Sequence, residues 1–418
     1  MRSLNVYTVL VTALPLLCSS LALAEGLPTS AIVIDTVEVG DPGNLAAPII
    51  PFNPETPDQT TAVEFVGRVD YVYEIGTYEI TVEQYVMFLN AVDRVGANVQ
   101  QLWDPLMDPQ ANPYRGQVCR ELNELPGQRF KVASPAWLHK PIAYIDFFRA
   151  ARFVNSLYNG QHTRTQIAPG KFRYVCQFST ATEFGVYELR QQTSFGSYAT
   201  RQAVRGFVLP SQDEWIKAAY YSRTVIAGER QYWRYPTMTD TPPTAATCDA
   251  CGNVTNAGNG PLANYANAAV WCPSGCQSGS TGTCTTPSNP GNLTDVGACL
   301  TPSPWGTFDQ GGNVVEWTDT VVAPPADAPN PLSQCIWRQV HGGIATAGAY
   351  QLWLSATGAT DPYGQALGSV NQFGGFRVGM LPDAQPCEPD PCPADLNHDG
   401  AVNGTDLGIL LNSWGVCH

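Results

Sequence analysis

The sequence predicts a loop-rich domain in which short strands and a few amphipathic helices are set among irregular connections. Three observations predict it. Glycine and proline are abundant, 38 and 34 of 418 residues, which favours loops over long helices or regular barrels. Three stretches repeat apolar residues at helical spacing, each behind a residue that caps helices. One stretch near the N-terminus alternates apolar and polar residues as a strand does. The length suits one large domain or two smaller ones, ample for a sizeable core.

Taken in order, residues 31–39 are the opening strand. Residues 41–60 form a Pro-rich loop, and 71–76 a second strand that stops at Gly76. Thr81 then caps a helix, with Gln84 three residues on completing a capping box, in which each side chain satisfies the other's backbone N–H. Val82, Tyr85, Val86, Leu89 and Val92 form its buried face. Asp146 is the N-cap of a second helix over 146–158, with Phe147, Ala150, Ala151, Val154 and Leu157 toward the core. Ser211, preceded by Pro210, opens a third, with Glu214 in the capping-box position and Trp215, Ala218 and Ala219 on its inner side. From 228 to 306 the periodicity gives way to Gly, Pro, Asn, Thr and Cys, a stretch read as loops pinned by bridges. No internal repeat at a solenoid period is present.

The two ends differ from the body. Residues 1–24 read as a secretory signal: Arg2, an apolar stretch over 6–17, and Ala22-Leu-Ala24 before Glu25. The apolar stretch is short of the roughly 20 residues a span needs, so cleavage is expected, with no transmembrane anchor afterwards. The protein is then secreted, periplasmic or at the cell surface. Residues 382–393 are a Pro/Asp/Cys linker to a compact tail, giving boundaries of 1–24, 25–381 and 382–418. Net charge is −14, with only four lysines and no basic run, which excludes nucleic acid as a partner.

Removal of Cys18 with the signal leaves twelve of the thirteen cysteines, an even number in an oxidising compartment. Six lie in a Cys-rich insertion over 248–299: Cys248, Cys251, Cys272, Cys276, Cys284 and Cys299. The Cys248/Cys251 and Cys272/Cys276 spacings are those of zinc-ribbon knuckles, but an exported chain favours disulfides. With Cys119, Cys176 and Cys335 the body has nine, and Cys387, Cys392 and Cys417 give the tail three. Both counts are odd, so either a bridge joins tail to body or each keeps a free thiol.

Six blocks then fall in an order that resembles the formylglycine-generating (sulfatase-modifying factor) family over about 31–380. They are Ile75-Gly-Thr-Tyr-Glu-Ile-Thr81, Pro141-Ile-Ala-Tyr-Ile-Asp-Phe-Phe-Arg-Ala-Ala151, Leu209-Pro-Ser-Gln-Asp-Glu-Trp215, Gly312-Asn-Val-Val-Glu-Trp-Thr318, Val340-His-Gly-Gly343 and Gly375-Phe-Arg-Val378. Tyr232-Trp-Arg-Tyr-Pro236 and Trp305-Gly-Thr-Phe-Asp309 resemble an exported bacterial branch. The resemblance implies a loop-rich α+β fold related to C-type lectins. It also implies a copper site of two cysteines just after the Gly342-Gly343 pair. Here no cysteine occurs between Gly343 and Gly374, and the matching positions are Ala347 and Leu352. Copper(I) is selected by soft thiolates, so no copper and no catalytic residue are expected.

What the resemblance implies in its place is structural calcium at Asp309, Gly312, Val314 and Glu316, carboxylates mixed with backbone carbonyls as calcium prefers. The plain alternative is a strand in which Glu316 forms a salt bridge. A second family calcium site would involve Asn264 and the Tyr265 carbonyl. His341 stands where relatives carry a basic residue and is read as structural. No Gly-x-Ser-x-Gly elbow, Walker loop or His-Glu-x-x-His is present. Trp233, Tyr235, Trp305, Trp337 and Trp353 are candidates to line a pocket or to pack the core.

The tail carries the sharpest motif. Asp395, Asn397, Asp399, Asn403 and Asp406 place oxygens at positions 1, 3, 5, 9 and 12 of an EF-hand-like calcium loop. Gly400 takes the turn at the sixth position and the Ala401 carbonyl serves the seventh. With the apolar run Leu407, Ile409, Leu410, Leu411 and Trp414 this resembles one half of a type I dockerin, implying a cohesin-like or cell-surface partner. Two function classes follow. One is an exported calcium-binding protein, non-catalytic, that binds a peptide or glycan or associates with a surface. The other is an oxidoreductase of the same family with a different metal site. The residues favour the first.

Overall fold

Alternation in the opening segment makes it the spine of the largest sheet. In the computed structural model, β1 (Ala31–Val39) buries Ile32, Ile34 and Thr36 along most of its length, and at its end Val37 and Val39 are buried on either side of the exposed Glu38. It pairs antiparallel with β4 (Tyr73–Gly76) on one side and with β8 (Lys171–Gln177) on the other, Thr36 lying opposite both Gly76 and Phe172. The outer strand β7 (Gln161–Ala168), β9 (Gly206–Val208) and β18 (Gly379–Leu381) complete six strands in the order β7-β8-β1-β4-β18-β9. The structure describes residues 31–51, 63–190, 199–202, 205–226, 230–271, 292–323, 336–363 and 372–381. The expected signal segment, much of the Cys-rich insertion and the tail 382–418 lie outside them.

The three helices form where their caps predict. In α1 (Val82–Val92) Thr81 and Gln84 make both bonds of the capping box. The Asp146 carboxylate accepts the Arg149 N–H to open α2 (Phe147–Tyr158). Ser211 and Glu214 make the second capping box at α3 (Gln212–Tyr220). Each helix contributes large rings to one core. Phe88 of α1 meets Phe153 of α2 at 5.1 Å between centroids, and Phe153 meets Phe376 at 5.2 Å. Burying such a side chain contributes about 1.5–3 kcal/mol, so these contacts anchor α1 and α2 more firmly than their caps do.

A four-stranded sheet, β16 (Gly358–Thr360), β15 (Trp337–His341), β14 (Val315–Val322) and β17 (Gly374–Gly375), packs against α3. Its β14–β17 pair is parallel and the others antiparallel. Four two-stranded sheets fill the loop-rich parts. They are β2 (Ala47–Ile49) with β3 (Glu64–Val66), β5 (Val118–Arg120) with β6 (Phe130–Val132), β10 (Tyr221–Ile226) with β11 (Arg230–Tyr232), and β12 (Thr244–Ala245) with β13 (Leu262–Ala263). The Pro-rich loop and the aperiodic 228–306 stretch therefore hold short strands that no period of two announces. The fold is mixed α+β, rich in strands. Among the described residues no helix is long and apolar enough to cross a membrane.

The disulfide expectation needs correction. Cys251 is disulfide-bonded, but Cys119, Cys176, Cys248 and Cys299 are free thiols. Cys176 points inward from mid-β8, opposite Ile32 and His162, with no thiol across from it. Cys299 is buried in a small cluster with Ala246 and Leu262. Burial pushes Cys176 up to about 12 and Cys248 up to about 11, which leaves both unreactive. The other expected cysteines lie outside the described residues.

Candidate functional site

The residues that carry the site converge where β14 leaves its turn. Asp309, Gly312 and Asn313 all have left-handed backbone, φ 56, 94 and 59. Gly312 is required there on a second count, since an added Cβ would sit 2.1 Å from the Asn264 carbonyl oxygen. The turn is held by Gly312 N–H to the Gly342 carbonyl (2.8 Å), Asn313 N–H to the Asn264 carbonyl (2.9 Å) and Gln310 Nε2 to the Trp215 carbonyl (3.1 Å). It delivers Glu316 into β14 with no exposure at all.

Glu316 is committed to protein partners. Arg377 donates Nε to Oε2 at 2.6 Å and Nη2 to Oε1 at 2.7 Å, and Trp215 Nε1 donates to Oε2 at 2.9 Å. Arg377 also donates to the carbonyls of Gly76 and Phe308 (3.0 and 2.8 Å), so one buried guanidinium ties the main sheet to the turn. The salt bridge weighed for Glu316 is present.

Beside this pair lie two more buried carboxylates. Asp309 accepts the Gly297 N–H at Oδ2, and burial pushes its carboxyl up to about 6. Glu79 is buried with neither carboxylate oxygen hydrogen-bonded. Burial first, then Asp309 and Glu316, push its carboxyl well above the usual range. Arg377 pulls the other way, as does the Val314 N–H, which acts on it without reaching hydrogen-bond geometry. Fully ionised, three carboxylates would share one guanidinium. An uncompensated buried charge is costly, so the cluster needs protons or a cation.

The fit to calcium is therefore partial at the expected positions and better with a residue that sequence reasoning missed. Glu316 is largely used up, Asp309 keeps one oxygen clear of Gly297, and Glu79 offers two orphaned oxygens. Glu79 stands inside the Ile75–Thr81 block, and an acid directly before the buried Ile80 was the available signal. Among the described residues no three His, Cys, Asp or Glu side chains are grouped to hold an ion by themselves, so backbone carbonyls such as those of Gly312 and Val314 would have to supply the remaining ligands. At the second expected place, Asn264 donates Nδ2 to the Asn292 carbonyl (2.7 Å) and to Asn313 Oδ1 (2.9 Å). The Oδ1 atoms of Asn264 and Asn292 are buried without partners, again oxygens suited to a hard cation.

The turn after Gly342-Gly343 is chemically different. Ala347 packs on the main core, its N–H on the Ile344 carbonyl and its carbonyl taking the Ala266 N–H. Leu352 is fully buried with Tyr235, Ala263 and Tyr265, and its carbonyl accepts the Tyr220 hydroxyl at 3.0 Å. His341 is buried and stacks on Trp215 at 5.1 Å, with Nε2 unpartnered. Burial holds its imidazole down to about 3, neutral near pH 7.

Of the five aromatic candidates, Trp233 lines an open groove of about 800 Å³ between the 45–50 and 231–234 segments. Trp353 lies under the Arg234 guanidinium at 3.9 Å, Tyr235 is buried, and Trp305 stacks on Tyr221. Trp337 opens β15 at its half-buried end.

Comparison with known proteins gives one family. The model described as a sulfatase-modifying factor enzyme 1-like domain matches residues 67–379. Among solved structures, Treponema denticola variable protein 1 is 19% identical over 83% of this chain and 99% of its own, with a TM-score of 0.35. A structure of PvdO from Pseudomonas aeruginosa is 13% identical over 84% of this chain and 93% of its own, with a TM-score of 0.32. No curated protein matches the chain.

Proposed function

Because the chain belongs to the sulfatase-modifying factor enzyme 1-like family, we propose that it uses that scaffold to bind rather than to oxidise, as an exported protein stabilised by calcium. Leu352 carries this reading. It stands where the resemblance places a thiolate, and its side chain is wholly enclosed by Tyr235, Ala263 and Tyr265. A branched hydrocarbon cannot ligate copper(I), and Ala347 brings only a methyl group. The ligand would be a peptide or glycan, and the protein would act outside the cytoplasm or at a surface.

Calcium is supported by the two orphaned Glu79 oxygens beside Asp309. When bound, it would supply the positive charge this buried cluster lacks. In the tail, the loop Asp395 to Asp406 has its own full set of oxygens and would serve a cohesin-like or cell-surface partner.

Two measurements test the reading. Wild type should neither bind copper(I) stoichiometrically nor convert a Cys-x-Pro-x-Arg peptide to formylglycine, whereas an Ala347→Cys/Leu352→Cys double variant should gain copper(I) affinity. Copper-dependent turnover by the wild type would refute the binding reading. For calcium, the full chain carrying Asp395→Ala silences the tail loop. Chelation should still lower its Tm by mass action, and adding Glu79→Gln should remove that response. An Asp395→Ala chain indifferent to chelator would sink the domain site.

A further inference from the structure

The groove beside the Leu352 turn runs between two chain segments, with Leu354 and Ser355 also lining it. One wall is the unbroken run 45–50, which contains β2, and the other is 231–234 at the end of β11. Among the described residues β2 pairs only with β3 and β11 only with β10. The far edge of β2 therefore keeps, among the described residues, unpaired N–H and C=O groups, a template for another strand. On the second wall, by contrast, the Trp233 N–H donates to the Tyr220 carbonyl, the Arg234 N–H to Asp240 Oδ1, and the Arg234 carbonyl accepts the Leu354 N–H. Leu45 and Ile50, at the ends of the first wall, are 71% and 61% exposed. Arg234 is the sole charged side chain lining the groove, in a chain of net charge −14. Its guanidinium lies over the Trp353 ring at 3.9 Å.

We propose that this groove docks an extended peptide that carries a carboxylate, its backbone pairing with the free edge of β2 and its carboxylate meeting Arg234. The inference rests on the binding reading and gives it a place and a ligand class. A stretch of six residues spans roughly 20 Å as a strand, and apolar side chains on such a peptide would cover Leu45 and Ile50. Strand addition draws affinity from main-chain bonds and specificity from alternate side chains. A glycan fits less well, because the walls present few side-chain hydrogen-bonding groups. Gln231 already donates to the Tyr221 hydroxyl, and the Tyr232 hydroxyl is occupied by Asn44, Leu45 and Gly67. Pro48 has no N–H to offer, so the ladder on β2 is partial and the Arg234 contact matters more.

The test uses the full chain and a fluorescent hexapeptide of alternating Val and Thr with a free C-terminal carboxylate, followed by anisotropy. Binding should saturate. Backbone N-methylation at alternate residues should weaken it at least tenfold, and so should Ile50→Asp in a variant whose Tm is unchanged. C-terminal amidation should weaken it severalfold in wild type and leave Arg234→Gln unaffected. The proposal is overturned by absent saturation, by equal binding of the N-methylated peptide, or by full displacement with an N-acetylglucosamine hexamer. Sedimentation in which wild type is a dimer and Ile50→Asp a monomer would also overturn it, in favour of a second copy in the groove. Docking together with copper-dependent oxidation would sink the binding-only reading and leave the groove assignment standing. No docking and no oxidation would do the reverse.

Discussion

The Glu316 turn and the Ala347–Leu352 turn lie close together, with Leu352 Cγ only 3.3 Å from where a Cβ on Gly311 would sit, yet they are opposite in kind. The first keeps a buried ion pair, an indole donor and two further carboxylates. The second is hydrocarbon on hydrocarbon. The difference teaches that one scaffold can seat a buried polar network and an apolar turn side by side. Buried polar groups depend on one another because removing one partner strands the other, whereas a buried apolar side chain depends on burial and fit alone.

The largest expected effect breaks the polar side. Glu316→Ala leaves Arg377 buried without its carboxylate and should cost about 3–5 kcal/mol in urea unfolding. A loss under about 1 kcal/mol would mean that Arg377 is free to find water or Asp309, and the contrast between the turns would collapse. On the apolar side, Leu352→Ala should cost about 3 kcal/mol through lost burial and a cavity, while Leu352→Met should cost less than about 1.5 kcal/mol. If Met proved as damaging as Ala, shape rather than burial would be holding the turn.

His341 lies at the seam, stacked on Trp215 and opposite Glu316 in the β14–β15 register. Its folded value near 3 lies below the ordinary 6.5, so between those pH values the unfolded chain binds the extra proton. Stability from this residue is intact above about 6.5 and is lost as pH falls toward 3. At pH 5 the loss should be about 2 kcal/mol, and His341→Gln should flatten that part of the profile. An unchanged slope in the variant would assign the acid limb to other groups. The smallest effect is at the helix that brings Trp215 to Glu316. Ser211→Ala removes one bond of the capping box and should cost about 1 kcal/mol, measurable as a lower midpoint with an unchanged denaturant slope.

Much of the scaffold was legible in the residues, and the reasons are local. Thr81 with Gln84, Asp146 with Arg149, and Ser211 with Glu214 each act within three residues, so their bonds can be read from spacing alone. The span of β1 follows from its alternation in the same way. Three-residue strands such as β2 and β9 are too short to show a period. The cysteine count misled because parity says nothing of geometry: Cys176 is committed to an inward β8 position before any partner is chosen.

The sequence by itself therefore determined the helices, the opening strand, the family blocks and the absence of cysteine between Gly343 and Gly374, since each is a matter of identity or of near neighbours. Only the tertiary structure decided what Glu316 does, because Arg377 lies 61 residues away and Trp215 lies 101. It alone brought the orphaned Glu79 beside Asp309, and it alone opened a groove between strands β2 and β11, which are far apart in the chain. Contacts of that range leave no periodic trace, and they form only when loop closure is repaid by burial elsewhere.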